Sequence, residues 1–125
     1  MKTLVLSLVL LTASLTTIAQ KEVRLEELPK LTGDSVITGG KVYETKVVNG
    51  GKLLHIYVGG LSPKQQLTIV INKEIQAILA EPLKKQLLQI KVAGKVESFQ
   101  NKPQIIIRDP SQIHSIITET GDPEK

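Results

Sequence analysis

Two long runs of this chain alternate apolar and polar residues, and glycine interrupts both in mid-run. The first is "SVITGGKVYETKVV", residues 35–48; the second is "LQIKVAGKVESF", residues 88–99. A period of two marks a strand with one buried face. A glycine inside such a strand weakens it as a flat ribbon and marks a bend, a bulge or a close backbone approach. Long strands that must bend are the parts of a small barrel, so this feature narrows the chain to curved β architecture. In the first run Val36, Thr38, Gly40 and Val42 share the inward face. In the second Leu88, Ile90, Val92, Gly94 and Val96 do, with Gln89, Lys91, Lys95 and Glu97 outward.

The remaining elements fall between and after these runs. Asn49-Gly50-Gly51 is a hairpin turn, because such residues accept the positive φ that tight turns need. "KLLHIYV" (52–58) and "QLTIVI" (66–71) are the second and third strands, separated by Gly59-Gly60 and Ser62-Pro63. The period then changes to 3.6. Asn72 caps a helix whose apolar stripe is Ile75, Ile78 and Leu79, and Glu81-Pro82 ends it or opens a second short turn. After the fourth strand, "QIIIR" (104–108) is the fifth and last, bracketed by Pro103 and Pro110. Arg108 and Asp109 read as an ion pair at its end. Strand, strand, strand, helix, strand, strand is the order of a five-stranded OB-fold barrel, with the helix plugging the open end. A small sandwich or SH3-like barrel has no place for that single helix.

The ends read differently. Met1-Lys2, the apolar run Leu4 to Leu15 and the small residues before Gln20 have the layout of a cleaved secretory signal over residues 1–19. The expected organisation is a signal peptide (1–19), an N-terminal segment (20–34), the OB-fold barrel (35–116) and a polar tail (117–125). The product is expected to be exported, periplasmic or secreted, monomeric, and without a transmembrane segment once the signal is removed. The chain has no cysteine, so the barrel is held by packing rather than by disulfides, and thiol chemistry is excluded. Charge is uneven. Residues 35–116 carry eleven basic and five acidic side chains, while both flanks are mildly acidic. A basic domain between acidic ends attracts polyanions such as nucleic acid, anionic glycans or lipid headgroups.

Three stretches carry a resemblance: "LEELPKLTGDSVITGGKV" (25–42), "LLHIYVGGLSPKQQLTIVI" (53–71) and "VAGKVESFQNKPQIIIRDPSQI" (92–113). Together they resemble a group of small OB-fold domains, described as nucleic-acid-binding-like, that stand alone behind a signal peptide or beside thermonuclease-type domains. The resemblance covers about residues 25–113 and implies the fold more than the ligand. Gly39 stands where the group often has a cysteine, so any role of that cysteine is absent. His55 stands where an asparagine is common.

Catalysis finds no footing. A thermonuclease-type site needs carboxylates on a metal and arginines for the phosphate. Beyond the signal-like stretch the aspartates are Asp34, Asp109 and Asp122 and the arginines Arg24 and Arg108, in no such arrangement. The two histidines, His55 and His114, are far apart in sequence. The chain is expected to be no enzyme, to use no cofactor and to hold no metal. Binding fits better, because OB-folds bind on the outer face of strands two and three. If Val42, Leu54 and Ile69 point inward, then Tyr43, His55, Tyr57, Thr68 and Val70 point outward. Lys52 follows the first strand and Lys102 precedes the fifth. The candidate ligand-binding set is therefore Tyr43, His55, Tyr57, Lys52 and Lys102: an aromatic pair with lysines around it, the skeleton of a single-strand binding groove. The two tyrosines also read as a cross-strand pair that stabilises the sheet. The expected partner is single-stranded nucleic acid or another polyanion. The alternative is a protein or glycan of the cell envelope, or a structural accessory role there.

Overall fold

A computed structural model describes residues 20–119. The signal-like stretch 1–19 and residues 120–125 lie outside the described residues. The strands are β1 (Lys21–Glu22), β2 (Ser35–Val48), β3 (Leu53–Val58), β4 (Leu67–Asn72), β5 (Leu87–Lys95), β6 (Glu97–Phe99), β7 (Lys102–Ile107) and β8 (Ile113–Thr118). Two short helices, α1 (Lys73–Ile78) and α2 (Ala80–Leu83), lie between β4 and β5. Single 3-10 turns occupy Leu25–Lys30, Asn49–Gly51 and Pro110–Gln112.

The strands form one sheet in the order β6-β7-β4-β3-β2-β5-β8, with β1 parallel to β2. The long β2 serves both halves. Its first part pairs with β5 and its second with β3. Only Val96 separates β5 from β6, so the chain itself joins one end of the path to the strand beside β8 at the other, giving a barrel-like sheet. The expected five strands correspond to β2, β3, β4, β5 with β6, and β7. The count is eight, not five, for three reasons. The fourth strand breaks at Val96, whose backbone turns away to bond Gly33 and Asp34. Two residues before the barrel pair with β2 as β1. The chain after Pro110 returns along β5 as β8, so the isoleucine strand is not the last, and Ile117 and Thr118 are strand residues.

Alternation predicts most of the core. Val36, Ile56, Val58, Leu67, Ile69, Ile71, Val92, Val96, Ile105 and Ile107 are fully buried. Two inward assignments are wrong, each because a single residue breaks the period. The β5–β8 register shifts between Leu87 and Gln89, so Leu87 is buried and Leu88 is exposed. Asn72 caps α1 as expected, its Oδ1 accepting the Ile75 amide at 2.8 Å. The helix stops after six residues, however, because Leu79 leaves helical geometry (φ −97°, ψ 24°). Ile75 and Leu79 pack on the core, and Ile78 is left exposed.

The N-terminal segment is part of this core. Leu28 is completely buried, and Val23, Leu25 and Leu31 pack with it. The buried Thr38 hydroxyl donates to the Val23 carbonyl at 2.9 Å, which satisfies a polar group that would be costly to leave unpaired.

The turn after β7 is locked by one side chain. Gln112 Oε1 accepts the Arg108 and Asp109 amides at 2.7 and 3.0 Å. Its Nε2 donates to the Ala93 carbonyl of β5 at 3.0 Å and the Ile106 carbonyl of β7 at 3.2 Å. Arg108 and Asp109 do not pair with each other. Asp109 accepts the Ser111 amide at 2.9 Å, which draws its pKa below the usual carboxylate value. Arg108 reaches Glu97 at 3.6 Å. An Asp before Pro is better used as a cap, since its carboxylate lies beside the free amides of the next turn.

Candidate functional site

Cross-strand partners share a face, so the pairing registers map the outer surface. One row runs Glu44, Tyr57, Thr68, Gln104, Glu97 across β2, β3, β4, β7 and β6. The next runs Lys46, His55, Val70, Ile106. Beyond the first row, Phe99 pairs with Lys102 at the base of the β6–β7 hairpin. Between these rows and the β3–β4 loop lies a cleft of about 210 Å³. His55, Tyr57 and Thr68 lie on its strand side, Ser62, Pro63 and Gln65 on its loop side, and Phe99, Gln100, Lys102, Pro103 and Gln104 on its hairpin side.

The hairpin places Phe99 by backbone conformation. Gln100 and Asn101 both adopt positive φ (53° and 64°), the geometry of a tight two-residue turn. That turn sets Phe99 and Lys102 opposite each other at the mouth of the cleft. Phe99 is 52% exposed and Tyr57 only 8%. Tyr57 is thus part of the wall, and Phe99 is the exposed ring at the cleft's mouth.

His55 stands edge-to-face to Tyr57, ring centroids 6.1 Å apart. Its Nδ1 is 3.5 Å from the Tyr57 hydroxyl, a long contact. Burial, and secondarily the Lys46 ammonium, push the His55 pKa below its ordinary value. The folded protein therefore binds fewer protons here than the unfolded chain. This contribution to stability is complete above about pH 6.5 and declines as pH falls below it. Urea midpoints at neutral and mildly acidic pH should show that loss, and His55→Gln should flatten it. An unchanged slope in His55→Gln would assign the loss to other groups.

Gln65 sits on the loop side of the cleft. Its Nε2 donates to the Thr68 hydroxyl at 3.1 Å. Its buried Oε1 has no hydrogen-bond partner among the described residues.

The structure brings His55, Tyr57 and Lys102 together and leaves Tyr43 and Lys52 elsewhere. The register of β2 on β3 shifts between Val42 and Glu44, so Tyr43 is the bulged residue and Glu44 faces Tyr57. The two tyrosines are therefore not a cross-strand pair, and they line different cavities. Tyr43 looks onto a separate cavity beside Lys85 and Gln86, with the Lys41 ammonium 5.1 Å from its ring centroid. Lys52 ends the β2–β3 turn, at the far end of β3 from Tyr57. Phe99, Gln65 and Gln104 were not among the expected site residues. Phe99 continues the outward alternation of Lys95 and Glu97, which was the signal for it. Among the described residues no three histidine or acidic side chains gather to hold a metal.

No protein-family profile matches the chain, and no curated protein does. Solved structures do match. The OBody AM1L10, solved bound to hen egg-white lysozyme, aligns with a TM-score of 0.55 at 17% identity, over 83% of this chain and 100% of its own. Asparaginyl-tRNA synthetase from Pyrococcus horikoshii aligns at 0.55 and 18% identity over 84% of this chain. A putative aspartyl-tRNA synthetase from Leishmania major Friedlin aligns at 0.54 and 15% over 86%. The chain spans only 26% and 22% of those two synthetase chains. At such identities the likeness establishes the fold: this chain has an OB-fold.

Proposed function

We propose that this chain is an exported, non-catalytic OB-fold module that binds single-stranded nucleic acid, or another flexible polyanion, along the outer face of β3, β4 and β7. The observation that carries the reading is the pairing of exposed Phe99 with Lys102 at the mouth of a cleft walled by Tyr57 and His55. A ring that stacks on any base, beside a cation for the neighbouring phosphate, is what sequence-tolerant single-strand binding uses. The charges set the track. Glu44 and Glu97 close the ends of one row, so a polyanion follows Lys102 and Lys46, with the His55 ring between them. The apolar run before Gln20 supports export. The tRNA synthetases that share the fold are enzymes acting with tRNA by name; here the reading rests on this chain's own surface.

Magnitudes predict weak binding. One exposed ring offers about 1–3 kcal/mol of stacking, and lysine–phosphate contacts supply the rest in a salt-dependent way. Fluorescence anisotropy with labelled single-stranded DNA should show binding at low salt that fades at physiological salt. Phe99→Ala should weaken it by about 1–3 kcal/mol, or about 5–150-fold, while Tyr43→Ala should change little. Equal losses in the two variants would place the ligand elsewhere. Binding absent even at low salt would turn attention to a protein or glycan of the envelope. The OBody bound to lysozyme and the exposed Leu61 and Phe99 on this chain favour that second reading.

A further inference from the structure

The cleft has a neighbour. Across Gln65, Lys102 and Pro103, which line both, lies a second cavity of about 400 Å³. Its far wall is the N-terminal 3-10 turn, through Leu25, Glu26 and Pro29, and Lys64 and Gln66 stand on its loop side. We infer that the bound strand does not end at the cleft but crosses the Lys102–Pro103 ridge into this second cavity, so that the module takes two adjoining stretches of one single-stranded nucleic acid. The inference rests on the reading above and deepens it.

Four observations converge on it. At about 210 Å³ the first cavity is smaller than the roughly 300–1,000 Å³ that encloses a whole small molecule. It suits one part of a longer ligand. The second cavity is chemically two-sided. Leu25 and Pro29 give an apolar wall, while Lys64 and Lys102 give cations, which is the division a nucleotide presents between base and phosphate. Glu26 on the same wall repels phosphate, so the backbone runs on the lysine side and the base turns toward the 3-10 turn. Finally, Gln65 borders both cavities with its buried Oε1 unpaired. Buried acceptors without partners are uncommon, and a base N–H beside this amide supplies the missing donor after a small side-chain rotation. Lys102, shared by both cavities, neutralises the phosphate that crosses the ridge.

The test is an NMR titration of the purified protein with dithymidylate and with hexathymidylate. The short ligand should move amide signals of Tyr57, Thr68 and Phe99. The long one should also move those of Lys64 and Gln66. Lys64→Ala should weaken the long ligand severalfold and lower its salt slope by about 0.7, leaving the short one unchanged. If hexathymidylate moves only the first group and Lys64→Ala is neutral, the second cavity is not on the path, although the cleft still binds. If hexathymidylate moves neither group, the nucleic-acid reading falls and this inference with it.

Discussion

Gly39→Ala is expected to move urea unfolding to a much lower midpoint. A Cβ at this position would overlap the Ile90 carbonyl oxygen and stand 2.7 Å from Lys91 Cα and 2.9 Å from the Ile90 carbonyl carbon. All three are backbone atoms, so no rotamer relieves the clash. β2 and β5 would have to part along a ladder that runs from Ser35–Lys95 to Lys41–Gln89. Ordinary overpacking costs about 1–3 kcal/mol. Parting a central ladder exceeds that, and about 4 kcal/mol or more is a large share of a stability of roughly 5–15. Gly50→Ala is the control. Its Cβ meets nothing within 4 Å, and only its positive φ of 65° is strained, at about 1–2 kcal/mol. Urea unfolding followed by circular dichroism separates the two, and equal midpoints would show that β2 and β5 can yield. Cysteine, frequent at this place in the group the sequence resembles, would bring the same Cβ. The glycine is therefore a requirement of this barrel's own strand spacing.

Leu28→Ala should cost about 2–5 kcal/mol, the range for emptying a fully buried leucine site. Leu28 has no exposed surface and belongs to the main apolar cluster, yet it precedes the first long strand. Its 3-10 turn is held by the Leu31 amide donating to Leu28 and by Glu27 accepting the Arg24 amide at 2.9 Å. Thermal unfolding should show a midpoint well below that of Glu27→Ala, which removes only an exposed bond. Parity between the two would mean that the turn detaches without disturbing the barrel. The same turn walls the second cavity, so Leu28→Ala should also impair long single strands before it unfolds the protein.

Periodicity exposed the strands that bury one clean face. β3 and β4 were legible because Leu54, Ile56 and Val58, and Leu67, Ile69 and Ile71, keep one parity to the end. The cap of α1 was legible because Asn72 acts locally. What escaped was every place where one residue is inserted. Tyr43, Leu88 and His114 each fall at a register shift. A bulge changes which face the following residues show, and the sequence carries no mark of it when neighbours suit either face, as Leu87 and Leu88 do. β8 was invisible for the same reason: its bulge spaces Ile113 and Ile116 three apart, against the strand period. The β2 bulge also decides the candidate site: Tyr43 sits in it and lines a separate cavity, while Phe99 follows the outward count of Lys95 and Glu97 and stands at the cleft.

Gln112 ties the bottom of the barrel to the calendar of synthesis. Its amide clamps carbonyls of β5 and β7, and β7 closes on β4 through pairs such as Thr68 with Gln104. Neither contact can form until almost the whole described chain has left whatever narrow channel it emerges from. Local hairpins such as β2–β3 can assemble early, but the long-range parallel pairing and its lock come late, with only β8 still to follow. Until then the isoleucines of β7 and their partners on β4 remain uncovered. Closure of the barrel is thus expected only once nearly all of the described chain is available.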